Sequence, residues 1–263
     1  DKVVTQTYSI EIDGASTGTD LTGSLSKFLP IPNRELESLM LGWIRQTRRP
    51  DLFFPLLVVV FGTVAFANSL QNGFTFDDEA IVVDNPTVKA IDLGRIFSEP
   101  YWPGRAELGL FRPITTLTFA LNYQIHGLDP FGYHLFNVIL HLLNGMLVFW
   151  IAWRVLGDVA SAGLSALVFV LHPVQTEAVN GIVGRSELLC GFWLVLAWLL
   201  YISAIEMKRR SLLAASVVAS LAACLCKEQA AVLVGLLAGY DCLFGLGNGR
   251  WIDRESLKRY GPY

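Results

Sequence analysis

Nineteen residues, Leu52 to Leu70, pass without a single charge. A helix over that run is about 28 Å long, enough to cross the hydrocarbon of a bilayer. An uncharged run of this length constrains the chain more than any other feature. The composition agrees with it. Apolar residues make up 53% of the 263 and charged residues only 16%, where a soluble domain carries about 25%. The charges are clumped between further apolar runs, the profile of an all-α polytopic membrane protein. A net charge of −3 is too small to imply nucleic acid as a partner.

Basic residues orient the runs. Arg45, Arg48 and Arg49 precede the first one and place its start in the cytoplasm. Later runs are Tyr133–Trp153, a short one at Ala160–Leu171 that stops at His172-Pro173, then Leu188–Ile205, Leu212–Cys226 and Ala230–Leu246. With about six spans and both ends cytoplasmic, twelve basic residues fall on the inner side at 34–49, 154, 208–210 and 250–259, and six in the much longer outer stretch. That asymmetry is the expected one. The resulting division is a cytoplasmic segment over 1–47, a transmembrane domain over 48–246, and a basic cytoplasmic tail over 247–263. The chain begins at Asp1 and stops at Tyr263, and is expected to continue in a longer one. Within the first segment Val4–Ile12 alternates like a short strand. A helix over Arg34–Gln46 places Leu36, Leu39, Leu41 and Trp43 for the membrane surface.

The outer loop over 71–132 is long. It holds eight acids against four basic residues, and a loop of that length is usually functional. Asp77, Asp78 and Glu79 stand in a row just past the first span. Carboxylates at a membrane boundary are costly and point to function; the plainer reading is a solvated acidic loop. Val88–Phe97 reads as one short helix. Pro113–Ile125 reads as an interfacial helix, with Ile114, Leu117, Leu121 and Ile125 on its apolar face. In the second span His134, Asn137, His141 and Asn144 recur at spacings of 3, 4 and 3, so they share one face and should point into the bundle. For His141 and Asn144 the favoured role is interhelical hydrogen bonding. Cys190, Cys224, Cys226 and Cys242 lie in or beside apolar runs, and neither they nor the acids show a metal-site spacing.

On this topology Asp77, Asp78, Arg112, His134, His172, Glu177, Arg185, Glu187, Lys227 and Glu228 all meet the outer face. A carboxylate to take a proton and a cation to hold phosphate would suit a lipid-linked phosphate substrate. The rival is a structural ion-pair network.

Several blocks carry a resemblance. They are Phe76-Asp77-Asp78-Glu79-Ala80-Ile81-Val82, Asn85-Pro86, Phe111-Arg112-Pro113-Ile114, Gly127-Leu128-Asp129-Pro130 and Tyr133-His134-Leu135-Phe136-Asn137. His172-Pro173-Val174-Gln175-Thr176-Glu177, Gly184-Arg185-Ser186-Glu187 and Lys227-Glu228 follow in order. From about Leu52 to Asp241 the chain resembles the transmembrane and tetratricopeptide-repeat proteins, which are O-mannosyltransferases, and their bacterial relatives. The resemblance implies a GT-C-type glycosyltransferase without a cofactor, in the endoplasmic reticulum membrane or a bacterial inner membrane. Such an enzyme takes a sugar from a polyprenyl or dolichyl phosphate at the outer or lumenal face and passes it to a protein Ser or Thr with inversion. Asp77 or Asp78 matches the family's acidic pair and would be the general base, Asp77 slightly preferred. Arg185 and Lys227 are the candidates for phosphate. Arg112, His172 and Glu228 join them at the substrate, and His134 and Glu177 shape the acceptor side or brace the loop. The helical repeats of that family, with their period of about 34 residues, are not found here. Two other readings are open: a transporter of lipid-linked sugar that uses the polar stripe, and a non-catalytic membrane scaffold.

Overall fold

The computed structural model describes residues 52–244. The expected strand at Val4–Ile12, the helix over Arg34–Gln46 and the basic tail lie outside the described residues. Every regular element within them is helical.

α1 (Phe53–Phe66) runs on through a tight 3₁₀ turn, Ala67–Gln71. The loop segment that follows contains a π-turn (Glu79–Val83) and two short helices, α2 (Pro86–Ala90) and α3 (Leu93–Ile96). These two replace the single helix expected over Val88–Phe97. Ile91 adopts φ 44°, which no helix tolerates. Asp92 then caps a new helix by accepting the Arg95 amide at 3.1 Å. α4 (Pro113–His126) starts on proline and stops at Gly127, φ 58°, the usual asymmetry of helix ends.

α5 (Pro130–Leu156) is the longest element among the described residues. Asp129 accepts the Phe131 amide at 3.1 Å at its start, and Gly157 closes it in the left-handed conformation. α6 (Val159–Leu171) returns alongside, capped by Asp158 on the Ser161 amide at 2.7 Å. Next come α7 (Gln175–Asn180), α8 (Arg185–Met207), α9 (Arg210–Cys226), a 3₁₀ turn Glu228–Val232 and α10 (Leu233–Phe244).

Among the described residues three helices are long and apolar enough to cross a membrane: Phe53–Gln71, Pro130–Leu156 and Arg185–Met207. α6 and α9 are apolar but shorter, at 13 and 17 residues, and α10 is described over 12. α1, α5 and α6 pack closely because glycine lets them. A Cβ on Gly145 would lie 2.3 Å from Val170 Cγ2, and one on Gly62 would lie 2.5 Å from Leu142 Cδ2. Small residues at crossings are how helices approach in lipid.

At the loop end of the bundle, Ile81, Val82, Val88, Tyr101, Phe119, Tyr133 and Ile182 form a separate buried cluster. Where water is the alternative, each large apolar side chain so buried contributes about 1.5–3 kcal/mol. This cluster fastens the loop to α4, α5 and the 181–184 turn. On α4, Thr115, Phe119 and Asn122 turn inward, while Leu121 and Ile125 remain exposed. The polar side chains take the protein side, where partners exist, and of the apolar stripe Ile114 packs against the core while Leu121 and Ile125 face outward.

Candidate functional site

Arg185, the first residue of α8, is fully buried. Its Nε donates to Asn137 Oδ1 at 3.0 Å, Nη1 to the Thr118 carbonyl at 3.2 Å, and Nη2 to Asn122 Oδ1 at 2.7 Å and the Tyr133 carbonyl at 3.1 Å. The rings of Phe136 and Phe119 lie 4.4 and 4.5 Å from its guanidinium carbon. A buried cation needs this much polar and aromatic company. Arg185 thereby ties α4 and α5 to the start of α8. Asn137 completes the knot by donating to the Gly181 and Ile182 carbonyls.

Asp78 anchors the loop to the same turn. It is buried, and its Oδ1 accepts the Val183 amide at 2.9 Å. Its Oδ2 accepts from the Thr75 amide at 2.9 Å and the Thr75 hydroxyl at 3.3 Å. Asp77 and Glu79 on either side are exposed. Phe76, just before them, is 95% exposed and holds φ 47°. His134 is wholly buried beneath the loop, beside Asp78 and the Asn72 and Gly73 carbonyls. Neither of its ring nitrogens makes a hydrogen bond of ordinary geometry.

Two ion pairs complete this end of the bundle. Arg112 grips Glu228 with both Nε (3.3 Å) and Nη2 (3.0 Å), and its guanidinium carbon lies 4.9 Å from the Tyr101 ring centre. Burial raises the Glu228 carboxyl, but the Arg112 hydrogen bond and the nearby positive charges outweigh it and hold the group below its ordinary value. Lys227 pairs with Glu187 at the head of α8. Between them the Thr115 hydroxyl donates to the Cys226 carbonyl at 3.2 Å, joining α4 to the end of α9. Burial pushes the Tyr101 hydroxyl up.

The structure therefore brings Asp78, Arg112, His134, Arg185, Lys227 and Glu228 into one connected end of the bundle, with Asp77 at its surface. His172 and Glu177 are exposed. His172 Nδ1 accepts only the local Val174 amide, at 3.2 Å. Deeper in α5, His141 Nε2 meets the Val170 carbonyl at 3.0 Å and Asn144 Nδ2 donates to the Leu188 carbonyl at 2.9 Å, the interhelical bonding expected of them. Among the described residues no group of three or more His, Cys, Asp or Glu side chains could hold a metal ion.

The sequence reading missed Asn122 and the Thr118 and Tyr133 carbonyls as acceptors for Arg185. Asn122 also hydrogen-bonds His126, four residues on, at 3.1 Å.

Known proteins give this arrangement a context. The human protein O-mannosyl-transferase TMTC3 is 34% identical over 199 residues, 73% of this chain and 22% of its own length. Human protein O-mannosyl-transferase TMTC4 is 33% identical over 220 residues, 74% of this chain and 30% of its own. Drosophila melanogaster protein O-mannosyl-transferase Tmtc3 is 34% identical over 218 residues, 71% and 24% respectively. Over about three quarters of its length the chain is similar to these members of the transmembrane and tetratricopeptide-repeat family. It spans less than a third of the length of these relatives. No family model and no solved structure matches it.

Proposed function

We propose that this chain is a member of the transmembrane and tetratricopeptide-repeat family and carries the transfer site of a membrane glycosyltransferase. It moves a mannose-like sugar from a polyprenyl or dolichyl phosphate to a Ser or Thr hydroxyl of a protein. The relatives' names support the reaction class. One observation favours a role for the loop: of its two adjacent aspartates, Asp78 is locked on two backbone amides while Asp77 is exposed at the surface. A general base must come within about 2.6–3.2 Å of the proton it takes. Asp77 can do so, and Asp78 is committed to holding the loop.

In this reading Asp77 removes the acceptor hydroxyl's proton as that oxygen attacks the anomeric carbon from the face opposite the phosphate. The anomeric carbon–oxygen bond breaks, its electron pair leaves on the lipid phosphate, and the configuration inverts. Lys227, a flexible ammonium at the boundary, exchanges Glu187 for the phosphate, and Arg112 with its partner Glu228 lies beside it. Arg185 has no exposed surface, so it is a positioning residue, as is His134 under the loop. His172 and Glu177 stand on the acceptor side.

The same reading takes 48–246 as a GT-C-like domain of about six spans, its loop 71–132 on the outer or lumenal face of the endoplasmic reticulum or a bacterial inner membrane. Transport is the weaker alternative, because His141 and Asn144 are engaged between helices. The test is transfer in membranes supplied with a polyprenyl- or dolichyl-phosphate mannose. Asp77→Asn should lower the rate by about 10²–10⁴-fold. Full transfer by the Asp77→Asn, Asp78→Asn double variant would sink the proposal.

A further inference from the structure

Two buried side chains at the loop end of the bundle carry hydrogen-bonding atoms that no group among the described residues satisfies. They are Tyr101, 3% exposed, and His134, 0% exposed. The atoms are the Tyr101 hydroxyl and both ring nitrogens of His134. Leaving such atoms unpaired away from water is costly. Tyr101 is nevertheless firmly seated. Its amide donates to the Leu110 carbonyl at 2.8 Å, and its ring belongs to the buried cluster with Phe119 and Tyr133. The Arg112 guanidinium carbon lies 4.9 Å from the centre of that ring, but the hydroxyl itself has no partner. A phenylalanine would serve the ring packing equally well, so the hydroxyl calls for another explanation.

The two side chains share an electrostatic setting. The Asp78 carboxylate and the Arg185 guanidinium act on both. These charges are of opposite sign, and Arg112, which also acts on Tyr101, is paired with Glu228. A balanced setting suits a neutral ligand, since an ion brought there would give up its water without gaining a counter-charge. The unpaired atoms define the rest of the requirement. A phenolic hydroxyl both donates and accepts, and a neutral imidazole does each through one nitrogen. A single Ser or Thr hydroxyl is too little for three such atoms. A group with several hydroxyls can meet them all.

The way in is under the loop. His134 lies beneath it, beside the Asn72 and Gly73 carbonyls. Residues 72–77 are exposed apart from the half-buried Phe74, whose ring centre is 5.4 Å from that of Tyr133. Asp78 fastens the far end of this segment to Val183, so the segment can lift while its anchor stays.

We propose that Tyr101 and His134 form a subsite for the hydroxyl groups of the donor sugar, covered by the 72–77 segment until the donor arrives. The inference rests on the transferase reading for the identity of its ligand. With the segment down, His134 is a positioning residue. With it lifted, the His134 ring nitrogens and the Tyr101 hydroxyl contact the sugar and set the preference for it.

The experiment measures binding, without transfer, to the chain in lipid nanodiscs. The probes are polyprenyl-phosphate mannose and polyprenyl phosphate without the sugar. Wild type should bind the mannosylated lipid about tenfold more tightly, what one or two net hydrogen bonds supply. Tyr101→Phe removes one oxygen and keeps the ring. It should lose most of that preference and bind the bare lipid as wild type does. It should also melt at the same temperature or higher, because it deletes an unpaired buried hydroxyl. His134→Leu should lose the preference as well. A sugar preference retained by Tyr101→Phe would overturn the proposal, and so would its absence from wild type. A melting temperature several degrees lower in Tyr101→Phe would also overturn it, since the hydroxyl would then be bonded, to ordered water for example, before any sugar binds. The subsite and the base assignment fail separately. If Tyr101→Phe loses the preference while Asp77→Asn keeps full transfer, the base assignment fails and the subsite stands. If wild type transfers mannose yet binds the two lipids equally, the subsite fails alone.

Discussion

The Asp78 carboxylate accepts the Val183 amide at 2.9 Å, across 105 residues of chain. The same carboxylate holds Thr75 through its other oxygen. An Asn at this position has one acceptor where the aspartate has two, and its NH₂ must then face an amide N–H. Leaving a buried donor unpaired costs about 1–3 kcal/mol. Asp78→Asn should lower the melting temperature by several degrees and open the loop to limited proteolysis. Asp77→Asn, at an exposed position, should stay within about 0.5 kcal/mol of wild type. Equal melting temperatures for the two variants would refute the anchoring role.

Arg185 fixes three elements at once. Arg185→Met strands Asn122 Oδ1, Asn137 Oδ1 and two carbonyls, and should cost about 3–5 kcal/mol. Arg185→Lys keeps the charge but cannot reproduce the planar fork. Size-exclusion profiles after solubilisation should show both variants losing the monodisperse peak, Met more than Lys.

Much of this was legible in the chain. Uncharged runs mark α1, α5 and α8, and the 3, 4, 3 spacing puts Asn137, His141 and Asn144 on one inward face. The sidedness of the charged residues collected Arg112, Glu228, Lys227 and Arg185 at one end. Their pairing was not legible. Arg112 meets Glu228 across 116 residues, and no local pattern records that. Arg185 looked like a phosphate ligand because its charge is visible in sequence and its burial is not. The break at Ile91 was hidden for a related reason: an Ile with positive φ contradicts its own propensity, so tertiary packing must impose it.

Gly184 feeds Arg185 into its site. A Cβ there would lie 2.3 Å from the Ala178 carbonyl oxygen, a backbone atom. Gly184→Ala should therefore cost about 1–3 kcal/mol through forced backbone movement. Gly191→Ala is the control, since its nearest neighbour would be 3.7 Å away. Thermal unfolding in detergent should separate the two, and a tolerated Gly184→Ala would contradict the close approach.

Glu228 makes part of the stability pH-dependent. Its folded carboxyl is held below the ordinary value, so the charged form favours the folded state. The contribution is complete above about pH 4.5, the unfolded range, and disappears as pH falls through the lower folded value. The side chain is 46% exposed, so the effect is small, about 0.2–1 kcal/mol, and weaker in high salt. Glu228→Gln should flatten the melting-temperature profile below pH 5 and leave the plateau near pH 7 only slightly lower. An unchanged acid limb would show that the Arg112 pair contributes nothing.

Phe76 combines two unfavourable features, a left-handed backbone (φ 47°) and a ring that is 95% exposed. The first costs about 1–2 kcal/mol for a residue with a Cβ. The second gains nothing from the core. Packing therefore does not explain Phe76, and strain of this kind gathers at functional positions. Phe76 immediately precedes Asp77, and its carbonyl accepts the Glu79 amide at 3.3 Å, so its conformation sets the direction in which Asp77 leaves the turn. Phe76→Gly adopts the same φ without strain and should match or exceed wild-type thermal stability. If the ring faces the transferring sugar, that variant should still lose transfer, and Phe76→Tyr should recover most of it. Loss of transfer with recovery by Tyr assigns the role to the ring. Undiminished transfer by Phe76→Gly would remove Phe76 from the site altogether.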